Sequence, residues 1–506
     1  MYKVRDKSPD IPNFILPFAG HLNEKNRWVI LSKIIPWDEL EKTYKEIFNN
    51  RGAPAKDFRT ALGTLIIKEK LKLTDEETVL QIQENPYLQY FLGFEYFEKK
   101  KIMDSSSLVH FRKRISLEMV RNIIDKILDV PKKPKSKKNK SNDNDNDANH
   151  NDENNSSSCN DNSSGDKLEN KESVEKEEKV ENKGKLIIDA TCVPEDIKYP
   201  TDLNLLNECR EKTEKILDIL QSTGENGGKR VRTYKRNARK DYLIVAKNKR
   251  PSKKLIRKAI GKQIRYLMRN LSNIEKFKEK ESYNLLTDKL LKVLETIKKV
   301  YKQQKYMFDN KVNRVEDRIV SLSKPHIRPI VRGKVNASVE FGSKITLSVI
   351  NGFSYITKHS WNNYNESEDL IPSVENYYSK FGYYPEVVLV DKIFNNAKNR
   401  EYCKEKGIRI SGRPLGRPKK DESGGSGSRK QMRKDEGMRV AVEGKFGVFK
   451  RKYGMARILT KLSETSESVI GLIVLVSNLD KKLRLIFYPF LRIIGFFQNS
   501  YIFYQH

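Results

Sequence analysis

The chain has 506 residues and carries 99 Lys plus Arg against 67 Asp plus Glu, a formal net charge of +32, with 37% hydrophobic residues. That excludes a small single module and a wholly disordered chain, and predicts one large globular body or two to four domains. So large a positive excess calls for an anionic partner; a polyphosphate backbone meets the need best, although anionic membrane and ribosomal RNA share the physics. Cys159, Cys192, Cys209 and Cys403 are scattered, which leaves no disulfide framework and no paired zinc knuckle and fits a reducing interior. No apolar signal stretch follows Met1, and the apolar run at 470–497 is interrupted by Asp480 and several Lys and Arg. That run reads as a buried helix or strand followed by an amphipathic tail, not as a membrane span.

Residues 1–130 predict a compact helical unit. Phe58, Leu62, Leu65 and Ile66 recur at helical spacing, Thr74 and Glu77 form a capping box, and SSSLVHFRKRI at 105–115 offers a further helix start with its cations grouped. Helix-turn-helix and ordinary bundle are both open on this pattern. Residues 131–183 are polar, Asn-rich and Asp-rich, then of mixed charge, and predict a disordered linker. Leu186, Ile187 and Ile188 then form an apolar run ending on Asp189, a buried strand with a carboxylate at its tip. Helices are expected at 204–223 and 252–310, the second strongly basic. Between them GGKRVRTYKRNARK at 227–240 reads as a basic loop in which Arg230, Arg232, Lys235 and Arg236 contact phosphate and Tyr234 stacks; a solvated charge run is the alternative.

A second basic patch, His326, Arg328, Arg332 and Lys334, precedes a predicted hairpin at 337–361 that turns at Asn351-Gly352. The patch suits DNA-backbone contact. Trp361 reads as a core aromatic or, less naturally, a wedge against distorted DNA. A helix is expected at 366–381, then a second apolar run, Val387 to Val390, ending on Asp391. A long loop including 412–430 leads to a helix with an apolar stripe of Val442, Phe446, Phe449 and Tyr453, and with Arg439, Glu443 and Lys450 on another face. The strands frame a central mixed sheet. Strand ends carrying Asp189 and Asp391 and a helix carrying Glu443 are what is needed to gather three carboxylates at one sheet edge, where they could hold two hard divalent ions. Each residue alone is weak evidence, since an Asp at a strand end is commonly a turn residue and a helix Glu a partner of Lys. No phosphate-binding Walker loop occurs, so ATP dependence is not expected.

The ordered segments GAPAKDFRTALGTLIIKEKLKLTDEETVLQIQENPYLQYFLG, DSSSLVHFRKRI, LIIDATCVPEDIKYPTD, HIRPIVRGKVNASVEFGSK, GYYPEVVLVDKIFNNAKNREYCKEKGIRISG and RVAVEGKFGVFKRKYG are dispersed over roughly three quarters of the chain. In that order they resemble the DDE insertion-sequence transposases of the IS4/IS5 group, the IS1182-like branch above all. The resemblance implies an RNase H-like α/β catalytic core at 184–465, interrupted by a basic helical insertion at about 204–315. An all-helical DNA-binding domain at 1–130 would precede it and an apolar tail at 466–506 would follow. It implies Asp189, Asp391 and Glu443 as the catalytic, metal-holding acids, Mg²⁺ or Mn²⁺ as cofactor, and Arg439 and Lys450 as clamps on phosphate. The family often carries a Tyr seven residues before the Glu; Glu436 stands there in this chain. The implied partners are double-stranded terminal inverted repeats and target DNA, gripped by a homodimer, in a nucleoid-associated, cytoplasmic protein with no membrane contact. A catalytically silent DNA-binding derivative of such an element, and an RNA-binding scaffold, are the competing readings.

Overall fold

The computed structural model describes residues 20–48, 54–128, 181–222, 230–331, 339–412 and 426–502. Nearly all of the predicted linker at 131–183 lies outside them, as do Arg332 and Lys334.

The first part is helical: α1 (Arg27–Ile34), α2 (Trp37–Lys45), α3 (Phe58–Leu71), α4 (Asp75–Glu84), α5 (Pro86–Phe91), α6 (Ser107–Arg114) and α7 (Leu117–Ile127). α3 is buried on nearly every side, Arg59, Thr60 and Thr64 included, so the expected stripe is part of a central helix surrounded by its neighbours. Half of the capping box before α4 forms: the Thr74 hydroxyl accepts from the Glu77 amide at 3.1 Å, while the Glu77 carboxylate accepts from Gln81 Nε2 at 3.1 Å. In α6, Arg112 turns inward and pairs with both oxygens of Asp75 at 2.9 and 2.6 Å, which removes one cation of the 105–115 run from the surface.

The sheet comprises β1 (Lys185–Pro194), β2 (Arg328–Val331), β3 (Val339–Ile350), β4 (Phe353–Ser360), β5 (Val387–Leu389) and β6 (Arg409–Ile410). Its order is β2-β3-β1-β5-β6, with β4 also on β3. Pairings on the β3 side are antiparallel, while β1-β5 and β5-β6 are parallel. The hairpin turns where predicted, with Asn351 and Gly352 both at positive φ, 50° and 75°. One expectation is corrected. Asp189 is not at a strand tip: β1 runs on to Pro194 because Ala190, Cys192 and Val193 stay buried and the ladder to β3 continues as far as Pro194 opposite Gly342.

Between β1 and β2 stand α8 (Asp202–Leu220), α9 (Lys235–Ala246), α10 (Lys253–Glu275) and α11 (Asp288–Asp309). Of the predicted basic loop at 227–240, residues 230–234 are irregular, and Lys235 and Arg236 open α9. This insertion has its own apolar clusters, such as Leu206, Leu267 and Ile297 or Leu217, Ile274 and Leu294, which share no residue with the main core. At its neck Lys324 Nζ meets Glu195 Oε2 at 2.7 Å, both side chains almost wholly buried.

After the hairpin come a 3₁₀ turn at Glu366–Asp369 and α12 (Leu370–Phe381), then α13 (Ala397–Glu405), α14 (Ser426–Lys452) and α15 (Ser463–Ile502). Val469 to Val476 and Leu479 of α15 are buried against α1, α3, α6, α7 and β4. One continuous core therefore runs from Trp28 through the sheet to Leu483. Among the described residues no helix is long and apolar enough to cross a membrane.

Candidate active site

The register of the two parallel strands places the first two acids. Ile187 lies opposite Leu389, so Asp189 and Asp391, each two residues further on, stand at the same level on neighbouring chain segments. Adjacent strands lie about 4.8 Å apart, and the carboxyl end of parallel strands is where open α/β sheets leave a crevice. β5 ends at Leu389, and Asp391 caps the short 3₁₀ turn that follows, its Oδ1 accepting from the Lys392 amide at 2.7 Å. Asp189 Oδ1 accepts from the Ala190 amide at 2.8 Å.

α14 crosses this end of the sheet. Val442, Phe449 and Tyr453 are fully buried beneath it and Phe446 nearly so, as the stripe predicts. The neighbouring face turns Arg439, Glu443, Gly447 and Lys450 to the same space, positions separated by whole helical turns. A cavity of about 740 Å³ is lined by Asp189, Asp391, Glu443, Arg439 and Lys450 together, with Thr191, Cys192 and Ile330 on its strand wall. Two further charged residues, Lys344 and Glu366, line it as well and had no signal in the sequence. Lys344 Nζ binds Glu366 at 2.8 Å and the Tyr364 carbonyl at 2.8 Å. Lys344 lies opposite Cys192 in the ladder and Glu366 on a turn; only the long-range pairing of β1 with β3 brings them here.

Burial pushes Asp189 up to about 6; its bond from Ala190 pulls the other way, and the negative charge of Glu366 and Asp391 adds to the rise against Arg439. Burial is the larger cause of that rise, and Lys344, Arg439 and Lys450 line the same space as the four acids. Arg439 is ion-paired with Glu443 at 3.2 Å. Among the described residues no three His, Cys, Asp or Glu side chains stand close enough together to enclose an ion. The donor chemistry nonetheless fits a hard divalent cation, since every candidate ligand is a carboxylate oxygen.

The other predicted residues lie elsewhere. Arg328 donates to the carbonyls of Pro325 and Ile327 at 2.6 and 3.1 Å, and burial lowers its pKa. His326 packs edge-on against Trp361 at 4.4 Å, and burial lowers it to about 4, so it is neutral at pH 7. Trp361 is a packing residue whose Nε1 donates to Glu467 at 2.8 Å. Arg230, Arg232, Lys235 and Arg236 belong to the helical insertion, Lys235 paired with Asp218.

Two family models match the chain, and Asp189 lies outside both matches. A family model described as a transposase DDE domain matches residues 388–480, which include Asp391 and Glu443. A second, described as a transposase domain (DUF772), matches residues 17–114, the helical first part. An uncharacterized protein, ORF8 in the nfe locus of Rhizobium meliloti, is 32% identical over 103 residues, 20% of this chain and 50% of that protein. The chain thus spans about half the length of this relative. No solved structure matches. The chain carries transposase domains at both ends of its fold. Their combination is the one seen in IS1182-family insertion-sequence transposases.

Proposed function

We propose that the protein is a DDE transposase that binds terminal inverted repeats, cleaves at each transposon end to expose a 3′-hydroxyl, and joins that hydroxyl to target DNA. The observation that carries this reading is the convergence of Asp189, Asp391 and Glu443 on one cavity from three separate elements. The sheet order, antiparallel on the β3 side and parallel through β1, β5 and β6, supports an RNase H-like core at 184–465 with a helical insertion at about 204–315. In the same reading the helices within 1–130 form a DNA-binding domain.

Asp189, Asp391 and Glu443 would hold Mg²⁺, or Mn²⁺ in its place, which would supply charge neutralisation for the scissile phosphate and activation of the attacking water or hydroxyl. Arg439 engages only Oε1 of Glu443, at 3.2 Å, so the pair would orient the carboxylate for such an ion rather than compete with it. The remaining N–H groups of the guanidinium, at the cavity wall, would bind a phosphate oxygen. Lys450, two turns along the same face, holds the flanking strand, and Phe446 walls the cavity from water. Both chemical steps transfer a phosphoryl group in line, so one set of residues serves both without a covalent protein intermediate. The working form is a homodimer on paired ends, in the nucleoid-bearing cytoplasm.

The test is cleavage of the element's own ends with Mg²⁺ by Asp189→Asn, Asp391→Asn and Glu443→Gln, each alone. All three should lose cleavage while still binding the ends; wild-type-like cleavage by all three sinks the assignment. Glu436 at the family's Tyr position favours one second reading, a silent DNA-binding derivative. Its mark is end binding by the unmodified chain without cleavage under any divalent metal.

A further inference from the structure

The charge of the protein is concentrated away from the cavity. Residues 230–274 contain sixteen Lys and Arg and one acid, Asp241, close to half of the net +32 in under a tenth of the chain. Asp241 is itself consumed, accepting from Lys262 Nζ at 2.6 Å and the Tyr266 hydroxyl at 2.9 Å. These bonds, with Gln263 Nε2 donating to the Ala238 carbonyl at 2.9 Å and Val245 packed with Ala259, make α9 and α10 an antiparallel hairpin. At its turn, residues 247–258 hold seven cations and no acid, and all seven are exposed. Arg257 is bonded to the Phe308 carbonyl at 2.6 Å and lies over the Phe308 ring. Lys249, Arg250, Lys253 and Lys254 have no side-chain partner among the described residues.

This arrangement runs against the helix it is built on. Ser252 caps α10 and Lys253 and Lys254 follow at once, with no acid in the first turn, so the cations crowd the positive end of a 23-residue helix dipole. Nothing within the described protein relieves that repulsion, and the insertion folds on clusters of its own that owe nothing to these charges. Its neck is also short: β1 carries Asp189 and reaches the Glu195–Lys324 ion pair six residues later.

We propose that the turn of the α9–α10 hairpin is a sequence-independent grip on the phosphate backbone of duplex DNA, separate from the catalytic cavity and mounted on the strand that supplies Asp189. This rests on the transposase reading and adds to it where the flanking duplex is held. Long, exposed cations, four of them without a side-chain partner among the described residues, suit two phosphate rows, which carry no base information, better than they suit base edges or a folded RNA pocket.

The experiment measures binding of the full chain to a random-sequence duplex of about 40 base pairs, and to an RNA stem-loop of equal charge, from 50 to 200 mM salt. Two fourfold variants are compared with the unmodified chain: Lys249→Gln, Arg250→Gln, Lys253→Gln and Lys254→Gln at the turn, and Lys289→Gln, Lys292→Gln, Lys398→Gln and Lys404→Gln elsewhere. Circular dichroism and thermal melting confirm that each is folded. The turn variant should bind duplex at least tenfold more weakly, and its slope of log K against log salt should flatten by about 3 to 4, at roughly 0.9 per lost contact. The control variant should change far less. Equal losses in both variants, an unchanged salt slope, or preference for RNA overturns the proposal. If the unmodified chain binds no duplex at all, the transposase reading fails with it; if it binds and cleaves but the turn variant is unaffected, only the grip is refuted.

Discussion

Removing either member of the neck ion pair should destabilise the protein far more than removing both. Glu195 and Lys324 are almost completely buried at 2.7 Å, and Lys324 also reaches the Ile458 carbonyl at 3.4 Å. Burial raises the pKa of Glu195 and Lys324 opposes that rise, so the carboxylate depends on its partner to remain charged. Deleting one charge strands the other in a low-dielectric neck, a loss of about 3–5 kcal/mol, whereas replacing both by apolar side chains of similar volume is often neutral or stabilising. Urea unfolding of Glu195→Leu, Lys324→Met and the double variant closes a double-mutant cycle. Each single change should cost about 3 kcal/mol or more and the double change less than either. Single losses under about 1 kcal/mol, or additive losses, would refute the argument that the insertion is fastened to β1 through this pair.

Three further outcomes follow from the same coordinates. Asp189 has a folded pKa of about 6, above its unfolded value, so its ionisation costs stability above that pH and the cost disappears as pH falls towards 4. Asp189→Asn should therefore raise stability by about 1–3 kcal/mol at pH 7.5 in chelator, with no gain at pH 4; a destabilised variant at pH 7.5 contradicts the burial argument. Asp480 is the opposite case: burial works to raise it, but bonds from Lys452 at 2.7 Å, Lys70 and Tyr453 at 2.5 Å hold it down at about 2. Its contribution, about 2 kcal/mol, is present above pH 4 and lost as pH falls towards 2, so Asp480→Asn should flatten the acid limb of the stability profile. At Gly342 a β-carbon would stand 2.0 Å from the Val193 carbonyl oxygen, so Gly342→Ala must part β3 from β1; a melting temperature within a degree or two of wild type would show that the strands yield cheaply.

The elements that the sequence made legible are those whose signal is local. The turn chemistry of Asn351-Gly352, the apolar run ending at Asp391 and the stripe under α14 each depend on residues a few positions apart. The apolar run of β1 gives way to Thr191 and Cys192, whose burial comes from β3, more than 140 residues away, so its local pattern ends the strand at Asp189. The sequence marks 227–240 as a loop because the charges opening α9 mask a modest apolar face of Ala238 and Val245. Lys344 and Glu366 were invisible as cavity residues for the same reason as β1's extent: pairing between distant strands brings them there. The acids were legible because two lie at or just beyond apolar runs and the third beside a clear helical stripe.

α15 also sets a schedule. Val469 to Leu479 complete the packing of helices that end at Ile127, yet they are made about 340 residues later, which at ribosomal speed is roughly 20–70 s. During that interval α1 to α7 exist without the helix that closes their core, and the sheet lacks its cover at β4. A chain broken off before α15 therefore lacks the surface on which both parts assemble. Such a fragment should be a target for proteolysis rather than a free DNA-binding domain competing with intact copies for the same ends.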